Sequence, residues 1–313
     1  MRRPHAFLLV LAALLLLLPL APIATRNYLL QVLTFLFLNV VLAQSYDIVG
    51  GMMGYVNLGH ITFFAVGAYA FGILFNLGLG LALSLLLATL LSIAFAALIS
   101  YPFFRLRGAY FSLAAFGLVE LMSHLTTNLT WLTGGSNGLK IAPGNRVVAA
   151  YYLALACVAA VLAACWLIER TRLGLALRAI REDEEVARDF GVPTGRVKAQ
   201  ALMLSSIFPG LMGGLYTWTI NFINPEQVYG LKIALTPVAM AMLGGSGMLL
   251  GPVLGATFLY LAQELIWTQA AALHGAILGV VVVGVGLFMP GGLVRLGPVA
   301  RLLRRLGLPA EEP

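Results

Sequence analysis

From residue 6 to residue 290 the chain presents one apolar run after another, near 6–24, 28–48, 58–76, 79–101, 109–126, 148–168, 200–222, 232–249, 252–269 and 274–290. A helix needs roughly 20 apolar residues to cross a bilayer, and a segment in lipid must satisfy its own backbone polar groups. These runs therefore predict an all-α polytopic integral membrane protein of about ten transmembrane helices, with glycine-rich broken or re-entrant segments. Only 10% of residues are charged, against about 25% in ordinary soluble domains. Residues 1–313 read as a single transmembrane domain.

The N-terminal run, with Arg2 and Arg3 ahead of it, is longer than a signal-peptide core and has no clear small-x-small cleavage site before Thr25, so it reads as a retained first span. Ten spans with both termini cytoplasmic leave Arg26, Lys140, Arg146 and Lys232 outside, and the other 15 of the 19 Lys and Arg inside. That asymmetry is the positive-inside pattern. It places the basic excess against an anionic lipid leaflet, including the basic tail of 291–313, and removes nucleic acid as a partner. Cys157 and Cys165, eight apart on one expected helix, read as packing residues.

One stretch breaks the apolar pattern. Within a cytoplasmic loop of about 169–198, "LRAIREDEEVARDFGVPTGRVK" (177–198) carries many charges of both signs. Leu173, Ala176, Leu177, Ile180 and Ala187 follow helical spacing, and Arg178–Glu182, Arg181–Glu185 and Glu184–Arg188 stand at i,i+4. Gly191 followed by Pro193 stops this helix, and Thr194 is placed to cap the next. Either the stretch is a solvated connector whose charges satisfy one another, or it is a docking element.

"EVARDFG" (185–191) resembles the Glu-Ala-Ala-x3-Gly loop by which permease subunits of ATP-binding-cassette importers dock their ATPases. "GYVNLGHITFFAVGAYA" (54–70), "RLRGAYFSLAAFGLVEL" (105–121), "TGGSNGL" (133–139) and "LGGSGMLLGPVLGA" (243–256) resemble, in order, segments of the branched-chain amino acid importer permeases, with Asn57 where Ser is usual. The resemblance runs from about residue 30 to 292, and the long charged loop favours the larger, M-type permease of that family. It implies a bacterial-type inner-membrane protein that imports branched-chain or related small amino acids. The implied partners are a homologous permease, two ATPases carrying ATP and Mg, and an extracytoplasmic solute-binding protein. Its implied coupling residues are Leu177, Ile180, Glu184, Glu185, Ala187, Phe190 and Gly191, with Val186 as a further apolar anchor. Urea or short amides are the family's alternative substrates.

In "LGGSGMLLGPVLGA", Gly244, Gly245 and Gly247 allow a break or a close helix contact, Pro252 resists a helix interior, and Gly251 and Gly255 form a small-x3-small face. The segment is either a helix break that serves the translocation route or the packing of two helices. Asn57, Gly59 and His60 stand at a helix start that can line the route; no second ligand accompanies His60, so metal is not expected. Asp47 falls at the inner end of its span, Glu120 has His124 at i+4 as a partner or else contacts substrate, and Glu264 belongs to an interface or to the pathway. "TGGSNGL" is an outer turn that presents backbone amides or simply closes a loop. The motifs of hydrolases, zinc proteases and phosphate loops are missing, so catalysis and cofactors are not expected in this chain. An ion-coupled secondary transporter would call for internal repeats, and the likeness of 50–70 to 241–261 is too weak to be one.

Overall fold

The computed structural model describes residues 15–20, 25–142, 144, 146–269 and 292–295. Most of the expected first span, all of the tenth and the basic tail beyond 295 lie outside them. Besides single turns, the described helices in chain order are α1 (Arg26–Gly50), α2 (Ile61–Asn76), α3 (Leu81–Phe103), α4 (Ala109–Asn128), α5 (Val147–Arg170), α6 (Arg172–Glu182), α7 (Glu184–Asp189), α8 (Thr194–Ile220), α9 (Pro225–Tyr229), α10 (Leu231–Gly244) and α11 (Gly251–Gln269). Among the described residues, five stretches are long and apolar enough to cross a membrane: α1, α3, α4, α5 and Pro225–Gly244, the last formed by α9 and α10 with Gly230 between them. α2 is apolar but shorter.

Local chemistry explains the boundaries. α1 ends at the glycine pair Gly50–Gly51, and α4 starts after Gly108, whose φ is +54°. Asn224 caps α9, its side-chain oxygen accepting from the Gln227 amide at 2.8 Å, with Pro225 at the first helical position. α8 begins six residues before the expected apolar run, directly after the cap residue Pro193, with Arg196 and Lys198 as good helix formers in its first turns offsetting Gly195.

α8 is the central helix, packed against α2 and α3 and flanked by α1 and α5, while the α10–α11 pair packs on α1. The α2–α8 crossing brings backbone against backbone, since a Cβ on Gly67 would overlap the Gly210 carbonyl oxygen and one on Gly213 that of Phe64. Ser92 Oγ, on α3, lies 3.2 Å from the carbonyl oxygens of both Phe63 and Ser206, and thereby ties three helices together in a dry interior. Cys157 and Cys165 are free and buried on α5.

The alternation of helices separates two ends. At one, the ladder Leu139–Ile223 and Lys140–Phe222 joins the 133–139 turn to the end of α8. Arg146 donates there to the Trp218 carbonyl at 3.1 Å and to Asn221 Oδ1 at 3.0 Å. At the other end lie residues 51–60, the α3–α4 connection, α6–α7 and the α10–α11 turn.

Candidate functional site

The charged stretch is two helices, where one was expected. Asp183 is extended (φ −159°, ψ 116°) and its carboxylate caps α7, accepting from the amides of Glu185 at 2.8 Å and Val186 at 3.1 Å. This local bond outcompetes helix continuation, a familiar property of Asp. The break separates Arg181 from Glu185, and that pair does not form. Glu185 instead bonds Arg107, from the α3–α4 connection, at 2.6 Å. Arg178 does not reach Glu182; it donates to the Glu169 carbonyl at 3.4 Å. Of the three expected pairs only Glu184–Arg188 is present, at 3.3 Å.

α7 closes as expected. The Val192 amide bonds the Ala187 carbonyl at 3.0 Å and the Gly191 amide that of Arg188 at 2.9 Å, with Gly191 at φ +85°. This is a Schellman end, followed by Pro193. Thr194 does not cap α8. Pro193 is the cap residue, its carbonyl taking the amides of Arg196 and Val197, and Thr194 is buried as the first helical residue.

Three of the expected docking anchors face inward. Leu177, Ile180 and Ala187 are buried in the main hydrophobic core, because the amphipathic face of α6–α7 packs on the bundle from which it emerges. Phe190 (85% exposed) and Val186 (49% exposed) remain as outward apolar groups on α7, together with Leu175 on α6.

The polar centre of this end rests on a residue that periodicity does not single out. Lys198, on the first turns of α8, is only 2% exposed; its Nζ lies 2.7 Å from Glu184 Oε1 and 5.1 and 5.3 Å from the rings of Tyr55 and Phe104. Tyr55 donates its hydroxyl to Glu184 Oε2. Burial alone would raise the Glu184 carboxyl, but the hydrogen bonds from Lys198 and Tyr55, with the charges of Lys198 and Arg107, hold it below the ordinary glutamate value. Burial and the same carboxylate raise the Tyr55 phenol. One carboxylate therefore pins α7 to α8 and to the loop before α2. A cleft of about 610 Å³ beside it is lined by Tyr55, Arg107, Arg181, Asp183, Glu184 and Glu185.

The glycine-rich segment adjoins this cluster. α10 ends at Gly244, Gly245 and Gly247 take φ of +121° and +85°, and α11 starts at Gly251 with Pro252 in its first turn, where the missing amide costs nothing. A Cβ on Gly244 would overlap the Gly251 carbonyl oxygen, and one on Gly255 that of Met240. The segment is thus both a break and a close helix contact. Asp47, fully buried near the end of α1, clamps the turn: its Oδ1 accepts from Ser246 Oγ at 2.6 Å and from the Gly247 amide at 2.9 Å. The Arg181 guanidinium from α6 lies against Gly247.

The remaining candidates are dispersed. Asn57 and His60 are buried but precede α2 and do not share its first turns. Asn57 Oδ1 accepts from the Gly59 amide at 3.0 Å, His60 Nε2 lies 3.1 Å from Ser45 Oγ, and Gly59 abuts the Ala115 carbonyl. Glu120 and His124 are exposed on α4, and no ion pair joins them. Both lie on the exposed face of α4, so the expected internal pair is not made. Glu264 accepts from Tyr28 on α1 at 2.9 Å, a contact between distant segments.

Residues 28–286 match the model of the family described as the branched-chain amino acid transport system / permease component. The chain belongs to this permease family. It is 30% identical to the high-affinity branched-chain amino acid transport system permease protein LivM of Escherichia coli over 82% of this chain and 68% of that relative. Identity to LivM of Salmonella typhimurium is also 30%, over 75% and 63% respectively. The chain thus spans about two thirds of the length of these relatives. The autoinducer 2 import system permease protein LsrC of Klebsiella pneumoniae is 29% identical over 47% of this chain and 44% of its own length. No solved structure matches the chain. The family's named members are transport-system permeases, and this chain is a membrane permease component.

Proposed function

We propose that this chain is the permease subunit of an ATP-driven importer for branched-chain or related small amino acids. It pairs with a homologous permease, two cytoplasmic ATPases that carry ATP and Mg, and an extracytoplasmic solute-binding protein. The full set is ten spans with both termini cytoplasmic. The greater coverage by LivM relatives than by LsrC favours amino acids over other cargo of the family.

The observation that carries this reading is the construction of α7. Its inner side is fixed to the bundle through Glu184, Lys198 and Tyr55, and its outer side presents Phe190 and Val186 beside the exposed Glu185. An exposed aromatic on a rigidly held helix suits insertion into a partner's groove, with charges setting orientation. Movement of an ATPase would pass through α7 to α8, and through Arg181 to the α10–α11 turn, giving alternating access. The coupling residues are Glu185 and Phe190 at the surface, with Glu184 and Gly191 supporting them.

Phe190→Asp and Glu185→Lys should insert normally and lose co-purifying ATPase, or hydrolyse ATP without uptake. A full ATPase complement with normal uptake in both variants would make α6–α7 a solvated connector and refute the docking role.

A further inference from the structure

α4 is built the opposite way round from two other spans. Within α3 the polar side chains Ser84, Thr89, Ser92 and Ser100 are all buried, and every exposed position from 82 to 98 is leucine or alanine. Between 153 and 167, α5 exposes alanines, Trp166 and Leu167. Those two surfaces suit acyl chains. In α4, also long and apolar enough to cross, Phe111, Ala115, Leu118 and Val119 are buried, whereas Glu120, His124 and Asn128 are exposed at i, i+4 and i+8 on one face. Glu120 sits roughly 12 Å of helical rise inside the end at Asn128. A helix of 20 residues only just spans the hydrocarbon layer, so Glu120 lies within it. An ionisable side chain at that depth turns to protein or to water, because lipid offers it no partner.

The same helix borders a cleft of about 350 Å³, where Glu120, Ser123 and Thr127 meet Ser136 of the 133–139 turn and Glu226 and Tyr229 of α9. Gly230 lines it too. There the chain leaves the helical conformation between α9 and α10, at φ −52° and ψ 141°, inside a stretch long and apolar enough to cross a membrane. Irregular backbone at that depth is tolerated where protein covers it or where it lines water. Two independent departures from a lipid-compatible surface, one in side chains and one in backbone, thus converge on one cleft.

We propose that the polar face of α4, with α9, is one wall of a water-filled translocation route whose other wall is the homologous permease, a reading that rests on the importer assignment above. Glu120, Ser123, His124 and Thr127 face the water. Leu121 and Leu125, exposed on the adjoining strip of the helix, seal against the partner. A wall of hydroxyl and carboxylate oxygens suits a hydrated polar solute in passage, and the acyl chains that cover α3 and α5 would leave those oxygens unsolvated.

The test uses proteoliposomes of the complete transporter with its binding protein, and the membrane-impermeant reagent sulfonatoethyl methanethiosulfonate. Ser123→Cys and His124→Cys on the polar face of α4 are compared with Leu90→Cys on the apolar face of α3, the native Cys157 and Cys165 being buried. Only a wetted thiol reaches the reactive thiolate form, so the two α4 cysteines should react at least about tenfold faster than Leu90→Cys. Modification of Ser123→Cys should then stop leucine uptake while the ATPases stay bound. Reaction of both α4 cysteines no faster than Leu90→Cys, in complexes that retain their ATPases, would overturn the water-filled wall and assign the face to lipid or to a dry contact. Rapid modification that leaves uptake intact would overturn the route equally, by placing water there without the solute. A wild-type complex that takes up no apolar amino acid, with both cysteines still reactive, would remove the importer reading and leave the water-facing wall standing.

Discussion

Replacing Lys198 by Met tests whether the buried cluster holds α7 in place. Removing one partner of a buried ion pair costs about 3–5 kcal/mol, because the remaining charge stays desolvated. Glu184 would keep the Tyr55 hydroxyl and Arg188, the latter at 3.3 Å, which sets the expected cost near the lower limit, about 3 kcal/mol. At roughly 2–4 °C per kcal/mol, the unfolding midpoint in detergent should fall by about 6–12 °C. Lys198→Met with Glu184→Gln removes both charges, keeps an acceptor for Tyr55, and should recover to within about 1 kcal/mol of the wild type. The pH dependence has a definite sign. Because the folded-state pKa of Glu184 is depressed, its contribution is present above the ordinary value of 4.5 and is lost as pH falls through the lower folded value. The gap between Lys198→Met and wild type should therefore be full at pH 7 and shrink below about pH 4.5. A double variant as unstable as the single one, or a single variant with an unchanged midpoint, would refute the pinning role.

Two further outcomes probe the glycine turn. Gly244→Ala drives a methyl group into the Gly251 carbonyl oxygen, and prying the two helices apart should cost about 1–3 kcal/mol; a monodisperse, normally expressed variant with the wild-type midpoint would show that the contact is loose. Asp47→Ala leaves Ser246 and the Gly247 amide without their acceptor, at about 1–3 kcal/mol. Uptake should fall with the thermal midpoint in that variant and recover in part in Asp47→Asn, and unimpaired uptake in Asp47→Ala would remove the clamp from the transport cycle.

The all-α character and the presence of long apolar helices were legible in sequence because they depend on quantities the chain carries locally, namely run length, hydrophobicity, and the stop chemistry of Gly191–Pro193 and of the glycines at 244–247; five of the ten expected spans are seen among the described residues as helices long and apolar enough to cross a membrane. The family segments were legible for the same reason, each being a short contiguous pattern. The break at Asp183 was marginal, since a cap and an interior Asp look alike until the backbone commits to one. The partners of Glu184 and Asp47 were not legible. Lys198 is 14 residues from Glu184 and Tyr55 is 129, while Ser246 is 199 from Asp47, and helical periodicity reports neighbours only within a turn or two. Sequence likewise marked Leu177, Ile180 and Ala187 as one apolar face without saying whether that face meets a partner or the chain itself. Only tertiary packing decides this, because an amphipathic helix buries its stripe against whichever surface it meets, and here that surface is the bundle from which the helix emerges.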